Sequence, residues 1–376
     1  LRSPKTGEVR KMVSARSLWT KILDIRMQTG EPYLLFTDTV NNARPAEYVL
    51  NDLKVKQSNL CVEIMLHTGK DHLGMDRTAV CCLSSVNAET FSEWQDEPLF
   101  IEDVMRFLDN VLSDFIKRAP DSMAKAVYAA IQERSVGLGL MGFHSALQGM
   151  NIPFESAEAR DFNTEIFAHL RRQTHDASLS LGRELGPCPD ARVIGPGHRF
   201  VHRMAIAPTA SISIICGGTS AGIEPIPANI YTHKTLSGSF EVKSPHLLRV
   251  LKSHGQDTTA IWNSILEHEG SVQHLDFLSQ QEKDVFKTAF ELDQQAIVTL
   301  AADRAPDICQ GQSVNLFVPG DVHKLDLHKL HWDAWEKGVK SLYYLRSKSV
   351  QRASYAGAQI PVTLAAPEPD ECLACQ

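Results

Sequence analysis

Hydrophobic positions along the chain follow two rhythms. At helical spacing, Leu18, Ile22 and Ile25 mark a helix over 14–29 that Gly30 stops. Ile101, Val104, Met105, Leu108, Val111, Leu112 and Phe115 form one stripe of an amphipathic helix over 101–118. Further helices are predicted over 121–133, 156–185, 244–254, 258–268, 281–303 and 321–339. Between them lie short apolar runs of strand length: Tyr33–Phe36, Ala79–Ser84, Met204–Ala207, Ser313–Val318 and Ser341–Arg346. Alternation of such runs with helices predicts an α/β architecture with mainly parallel strands. Beyond about residue 347 the chain is rich in Ser, Ala, Gly and Pro and loses periodicity, so 347–376 is expected to be a flexible tail.

One run carries chemistry as well as rhythm. In Gln57-Ser58-Asn59-Leu60-Cys61-Val62-Glu63-Ile64-Met65-Leu66, reactive and hydrophobic residues alternate. As a strand it would place Asn59, Cys61 and Glu63 on one face, about 6.6 Å apart, and Leu60, Val62 and Ile64 on the other. An ordinary strand with a buried Cys is the simpler reading. A Glu on the same face weighs against it, because an unpaired buried carboxylate is costly.

Composition narrows the class. A hydrophobic share of 43% and a charged share of 22% suit a globular chain, and a net charge of −7 gives no basic surface for nucleic acid. No apolar run is long enough to cross a membrane. Eight cysteines in 376 residues are too few for a disulfide scaffold, so thiol chemistry in a reducing, cytoplasmic setting is expected. Cys81 and Cys82 are adjacent, and Cys372 and Cys375 form a CxxC on the tail. With no second pair nearby for zinc, a tethered dithiol suits disulfide exchange with an internal site, at Cys81 or Cys82. His323, His328 and His331 read as a solvated helix face rather than a metal site. Gly137, Gly139 and Gly142 form a GxGxxG, but inside the apolar run, which favours a strand whose glycines allow close packing over a dinucleotide turn. Small hydroxylated residues after Met204–Ala207 suit anion binding or a local Ser/Thr turn equally.

Taken in order, Ser58-Asn59-Leu60-Cys61-Val62-Glu63-Ile64, Ala207-Pro208-Thr209-Ala210-Ser211, Asn229-Ile230-Tyr231-Thr232, Leu342-Tyr343-Tyr344 and the terminal Cys pair resemble the large, catalytic subunit of class I ribonucleotide reductase. The resemblance covers nearly all of this chain but only the C-terminal half or so of the family's length. It implies the C-terminal half of a ten-stranded α/β barrel over 1–346 and a redox tail over 347–376. It makes Cys61 the thiyl radical carrier, Glu63 the base toward the 3′ hydroxyl and Asn59 a substrate-positioning amide. Cys81, Cys372 and Cys375 become redox cysteines, and Tyr343 and Tyr344 a radical relay. Ser58, Pro208, Thr209, Ala210, Ser211, Ile212 and Ser213 join Asn59 and Glu63 in binding the ribonucleotide. It implies no cofactor on this chain, a radical from a metal-containing small subunit, and thioredoxin or glutaredoxin as reductant. The family pairs its redox cysteine with one on an earlier strand, and no Cys precedes Cys61 here. A split large subunit with a separate N-terminal piece is therefore expected. A cobalamin-dependent relative, a non-catalytic fragment that binds an intact reductase and, last, a nicotinamide enzyme are the alternatives.

Overall fold

The glycine-rich run at 137–141 sets the packing of the sheet. In the computed structural model, which describes residues 1–193, 197–235 and 238–348, Gly137–Met141 is a strand with every residue buried. It pairs in parallel with Leu83–Asn87, in register from Leu83 opposite Gly137 to Asn87 opposite Met141. A β-carbon on Gly137 would lie 2.3 Å from the Leu83 side chain, and one on Gly139 would lie 2.7 Å from the Ala205 carbonyl oxygen. The glycines admit neighbouring chain, as the strand reading expects, and no dinucleotide turn forms there.

From this pair the parallel arrangement continues through single bridges, Leu138 to Met204 and Ile206 to Gln312. Leu316–Pro319 then pairs in parallel with Leu345–Lys348. The succession follows chain order, and helices fill the crossovers: Phe100–Arg118, Ala124–Glu133, Ala157–Leu185, Gln294–Arg304 and Lys324–Glu336. Their inward faces build one large core. Among the described residues three strand pairs are antiparallel: Leu34–Leu35 with Ser341–Leu342, and the hairpins Gly69–Lys70/Asp76–Arg77 and Ile230–Thr235/Gly238–Lys243. The described residues form no closed barrel. Among them no helix is long and apolar enough to cross a membrane.

Several boundaries differ from the sequence reading, for local reasons. The helix Ala15–Thr29 is capped by Ser14 and ended by left-handed Gly30, but it buries Leu23 and Arg26 while Leu18 is exposed. The predicted strand Ala79–Ser84 starts later, at Leu83. The single helix predicted over 281–303 is two, Gln280–Val285 and Gln294–Arg304. Asp293 caps the second by accepting from the Gln295 N–H, and the Gln294 amide binds the carbonyls of Ala289 and Leu292. On Lys324–Glu336, His331 is buried rather than solvated, and its Nε2 accepts from Arg26 Nε at 3.1 Å. His323 caps that helix and His328 accepts from the Trp19 indole N–H.

Gly139→Ala places a methyl against backbone rather than a yielding side chain. It should lower the unfolding free energy in urea by about 1–3 kcal/mol, the usual cost of overpacking. Unchanged stability would show that the sheet spreads at little cost.

Candidate functional site

Local side-chain bonds decide the shape of the Cys61 segment. Asn59 Oδ1 accepts from the Ile64 N–H at 3.1 Å, Ser58 Oγ donates to the Ile64 carbonyl at 2.7 Å, and the Val62 N–H bonds to the Asn59 carbonyl at 3.2 Å. These bonds compete with a strand ladder and win. The segment is a tight turn with Val62 left-handed at φ 58°, not the predicted strand. The expected two-face alternation is accordingly lost: Cys61, Val62, Glu63 and Ile64 are all buried, while Leu60 stands out to solvent.

The turn is nevertheless held firmly, by the chain on either side of the second bridge and by Ser341. The Gly311 N–H donates to the Glu63 carbonyl at 2.8 Å, and a β-carbon on Gly311 would meet the carbonyl oxygens of Val62 and Glu63 at 3.1 Å. Ser313 Oγ lies 2.7 Å from the Cys61 carbonyl and 3.2 Å from Glu63 Oε2. Ser341 Oγ donates to the Val62 carbonyl at 2.8 Å. Gln310 joins the turn to the sheet, accepting from the Met65 N–H and donating to the Val136 carbonyl, both at 3.0 Å.

Within this clamp, the Cys61 thiol donates to the Tyr343 hydroxyl at 3.6 Å. Tyr343 and Tyr344 fall in the gap between Ser341–Leu342 and Leu345–Lys348. In an unbroken strand consecutive side chains would oppose each other. The break lets the two rings pack at 4.4 Å between centroids. Val314, Asn315 and Leu316 fix their backbone: Tyr343 N–H to the Val314 carbonyl at 2.8 Å, Tyr344 N–H to Asn315 Oδ1 at 3.0 Å, and Leu316 N–H to the Tyr344 carbonyl at 3.0 Å. Buried Arg26 donates to the Tyr343 carbonyl at 3.1 Å, and its burial lowers its pKa to about 10.

Burial raises the Glu63 carboxyl above the ordinary carboxylate range, against the pull of Asn59 and Ser313. Glu63 Oε1 and Asn59 Nδ2 are buried and, apart from their mutual proximity, meet no hydrogen-bond partner among the described residues. An acceptor and a donor so weakly engaged, beside a thiol, suit a ligand bearing hydroxyls.

Cys82 and Cys81 part company. Cys82 is buried, donates to the Leu108 carbonyl at 3.6 Å and is pushed up to about 11 by burial. Cys81 is exposed and lines an open cavity of about 570 Å³ with Thr78, Val80, Phe115 and Met123. Ile64 and Leu66, just past Glu63, pack with Ala79 and Leu83 on either side of the cysteine pair. On the opposite flank, Ile206 exchanges backbone hydrogen bonds with Gly311 at 3.0 Å and Ser313 at 2.9 Å. After buried Pro208 the chain turns at Thr209, left-handed at φ 56°, whose Oγ1 accepts from the Gly222 N–H at 2.7 Å. The six-residue helix Ala210–Ile215 starts there. Ala210, Ser211 and Ile212 are exposed, while Ser213 is buried with its hydroxyl on the Ala210 carbonyl. Cys372 and Cys375 lie outside the described residues.

The residue reading missed Ser313, Gly311 and Ser341, whose polar run before an apolar strand was the only signal. It also placed Tyr33 in a plain strand, whereas its ring lies 4.6 Å from Tyr343 and 4.9 Å from Tyr344. Among the described residues no group of three or more His, Cys, Asp or Glu is placed to hold a metal ion.

Comparison with known proteins places the chain. The family described as the ribonucleotide reductase barrel domain matches residues 2–192 and 190–345. The ribonucleoside-diphosphate reductase large subunit of Invertebrate iridescent virus 3 is 44% identical over 350 residues, 92% of this chain and 54% of that protein. A putative large subunit from Frog virus 3 is 44% identical over 99% of this chain and 64% of its own length. Among solved structures, the class Id ribonucleotide reductase alpha subunit of Actinobacillus ureae superposes with a TM-score of 0.83 at 40% identity, covering 90% of this chain and 62% of that one. The chain thus spans roughly half to two thirds of the length of these relatives. With residues 2–192 and 190–345 matched, the chain belongs to the ribonucleotide reductase barrel-domain family.

Proposed function

We propose that this chain is the C-terminal part of a class I ribonucleoside-diphosphate reductase large subunit, converting ribonucleotides to deoxyribonucleotides by a thiyl-radical mechanism. One observation carries the reading: a buried thiol in hydrogen-bonding contact with a closely packed tyrosine pair, in the same turn as a buried carboxylate oxygen without a hydrogen-bond partner among the described residues. A radical arriving from a separate small subunit oxidises Tyr344 and then Tyr343. The Tyr343 phenoxyl takes the hydrogen atom of Cys61, so an S–H bond breaks and an O–H bond forms. The Cys61 thiyl removes the 3′ hydrogen of the ribose while Glu63 accepts the 3′ hydroxyl proton and Asn59 holds the sugar. The 2′ hydroxyl leaves as water, and Cys81 supplies reducing equivalents with a second cysteine.

That second cysteine lies outside these residues, on the N-terminal piece of a half-barrel pair. Accessible Cys81 suits the redox role better than buried Cys82. Cys372 and Cys375 on the tail would reduce the resulting disulfide and be reduced in turn by thioredoxin or glutaredoxin. Substrate phosphate would sit at the turn from Pro208 to Ser213, with Ala210 and Ile212 contributing backbone N–H groups and Thr209 and Ser211 flanking them. Thr209 accepts from the Gly222 N–H and keeps its own O–H to donate to a phosphate, whereas Ser213 has given its proton to the Ala210 carbonyl, so the donors there are Thr209 and the backbone. Ser58 acts by shaping the turn. A matching solved structure is a class Id alpha subunit, and a tyrosine pair beside the thiol suits a delivered radical, so the cobalamin-dependent reading is not favoured.

In an assembly of this chain with an N-terminal piece and a small subunit, Cys61→Ser and Tyr344→Phe should each abolish deoxyribonucleotide formation while ribonucleotide binding survives. Full activity of Cys61→Ser would leave only a non-catalytic, scaffolding role, and full activity of Tyr344→Phe would favour a radical made on a bound cofactor.

Glu63 must be ionised to act, and its pKa lies above the usual carboxylate value. Turnover should therefore rise with pH through a titration above about 4.3, the ordinary Glu value. Glu63→Gln should remove that rising limb along with most of the rate. A limb that persists in Glu63→Gln assigns it to another group.

A further inference from the structure

Where the clamp around the Cys61 turn begins, a cavity of about 370 Å³ opens that the radical chemistry does not use. Its wall carries a thiol held by backbone. Cys309 Sγ accepts from two consecutive N–H groups, Arg203 at 3.1 Å and Met204 at 3.2 Å, and donates to the Met204 carbonyl at 3.5 Å. Consecutive N–H groups aimed at one atom hold negative charge. Cys309 is half-buried and reaches the cavity, whereas Cys82 and Cys188 are closed in. Polar groups on the same wall await a ligand. Glu47, in the first turn of the short helix Ala46–Leu50, is only 6% exposed, and its carboxylate meets no hydrogen-bond or ion-pair partner among the described residues. A carboxylate buried in this way is costly until a donor reaches it. His198 Nδ1 is buried and has no partner either. The half-buried Arg203 guanidinium likewise meets none among the described residues. The other charges on the wall are spent: Asp307 pairs with Arg171 at 2.6 Å, and the Lys340 ammonium donates to the carbonyls of Ile308, Cys309 and Gln310. An acceptor, a cationic donor and a sulfur remain. An α-amino acid joined through its side-chain sulfur offers the matching ammonium, carboxylate and sulfur within a few bonds.

We propose that this cavity is a modification site, where Cys309 exchanges with a small disulfide bearing α-amino and carboxylate groups, the ammonium on Glu47 and the carboxylate on Arg203. The Cys309 sulfur attacks one sulfur of that disulfide. The ligand's S–S bond breaks and an S–S bond to Cys309 forms. The other half leaves as a thiol, carrying the proton that Cys309 gave up. Cys309 is oxidised, the departing half is reduced, and no further oxidant is needed. The substituted sulfur can no longer donate to Met204, and new bulk enters between 203–204 and 309. Gln310 and Gly311, which follow directly, hold the Met65 N–H and the Glu63 carbonyl. The modification therefore loosens the Cys61 turn from the side away from the tyrosine pair.

The test incubates the full chain with cystine or with uncharged bis(2-hydroxyethyl) disulfide, traps the remaining thiols with iodoacetamide and maps each cysteine by mass spectrometry. Cys309 should favour cystine about tenfold, the rate equivalent of one charge-assisted hydrogen bond, while exposed Cys216 shows no preference. Glu47→Gln and Arg203→Gln should each erase the preference and leave the Cys309 rate with the uncharged disulfide unchanged. As the cystine adduct forms, trapping of buried Cys61 should speed up, and dithiothreitol should reverse both changes. No preference at Cys309, or one that survives Glu47→Gln, overturns the site. Cys61 trapping that stays slow in the adduct overturns the link to the clamp. None of these readouts needs turnover, so failure of the reductase assay leaves them decisive.

Discussion

The site depends on one constraint: the Cys61 turn carries no regular structure of its own and takes its shape from the chain at 310–313 and 341. Gly311 matters because only a residue without a β-carbon lets backbone approach the carbonyls of Val62 and Glu63 this closely. Gln310, Ser313 and Ser341 then bind four backbone groups of the turn, at Cys61, Val62, Glu63 and Met65, together with Gly311. A turn with a left-handed Val is strained, and such a residue persists only where its surroundings over-determine it. Here the surroundings are the chain around the parallel Ile206–Gln312 bridge, which leads into the strand Leu316–Pro319, so the thiol is indexed to the sheet.

The foundation beneath that strand is itself electrostatic. Buried Lys340 donates to the carbonyls of Ile308 and Gln310 at 2.7 Å and of Cys309 at 3.3 Å. Desolvation lowers its pKa to about 8, and the three carbonyls are what an ammonium needs to stay inside. Arg304 is likewise buried, bonded to Gln312 at 2.6 Å and Asn163 at 2.9 Å, with Phe143 and Phe167 beside it. Both cations therefore fix the segment that in turn fixes Cys61. Their role is local geometry, since a buried cation stripped of its acceptors costs far more than the pair returns.

The sequence made the sheet legible where period and glycine agreed. Gly137 and Gly139 inside an apolar run could only mean close packing, and the long helices showed their stripes. It misjudged the Cys61 segment because alternation is read as a strand whenever local competition is ignored. Asn59 and Ser58 are the residue types that bind their own backbone, and their bonds to Ile64 outweigh the alternation. The chemical grouping survived the wrong geometry, since Ser313 gathers the Cys61 backbone and the Glu63 carboxylate from across the sheet, a contact between residues about 250 apart that no local pattern encodes. Tyr33 was hidden for the same reason.

The break between Ser341–Leu342 and Leu345–Lys348 shows what irregularity contributes. A continuous strand would have sent one tyrosine to each face of the sheet. The two-residue gap costs ladder bonds at Tyr343 and Tyr344, which Val314, Asn315 and Leu316 replace one by one. Asn315 does so because its amide is in turn held by Glu224, a carboxyl raised by burial with Arg346 and the Asn315 bond opposing that rise. The same Arg346 lies over Tyr344. A single polar chain, Glu224 to Asn315 to the Tyr344 backbone, with Arg346 closing back on its ring, thus replaces strand regularity. The Tyr343 phenol thereby meets the Cys61 sulfur with the Tyr344 ring packed against its own, which an uninterrupted pleat could not do.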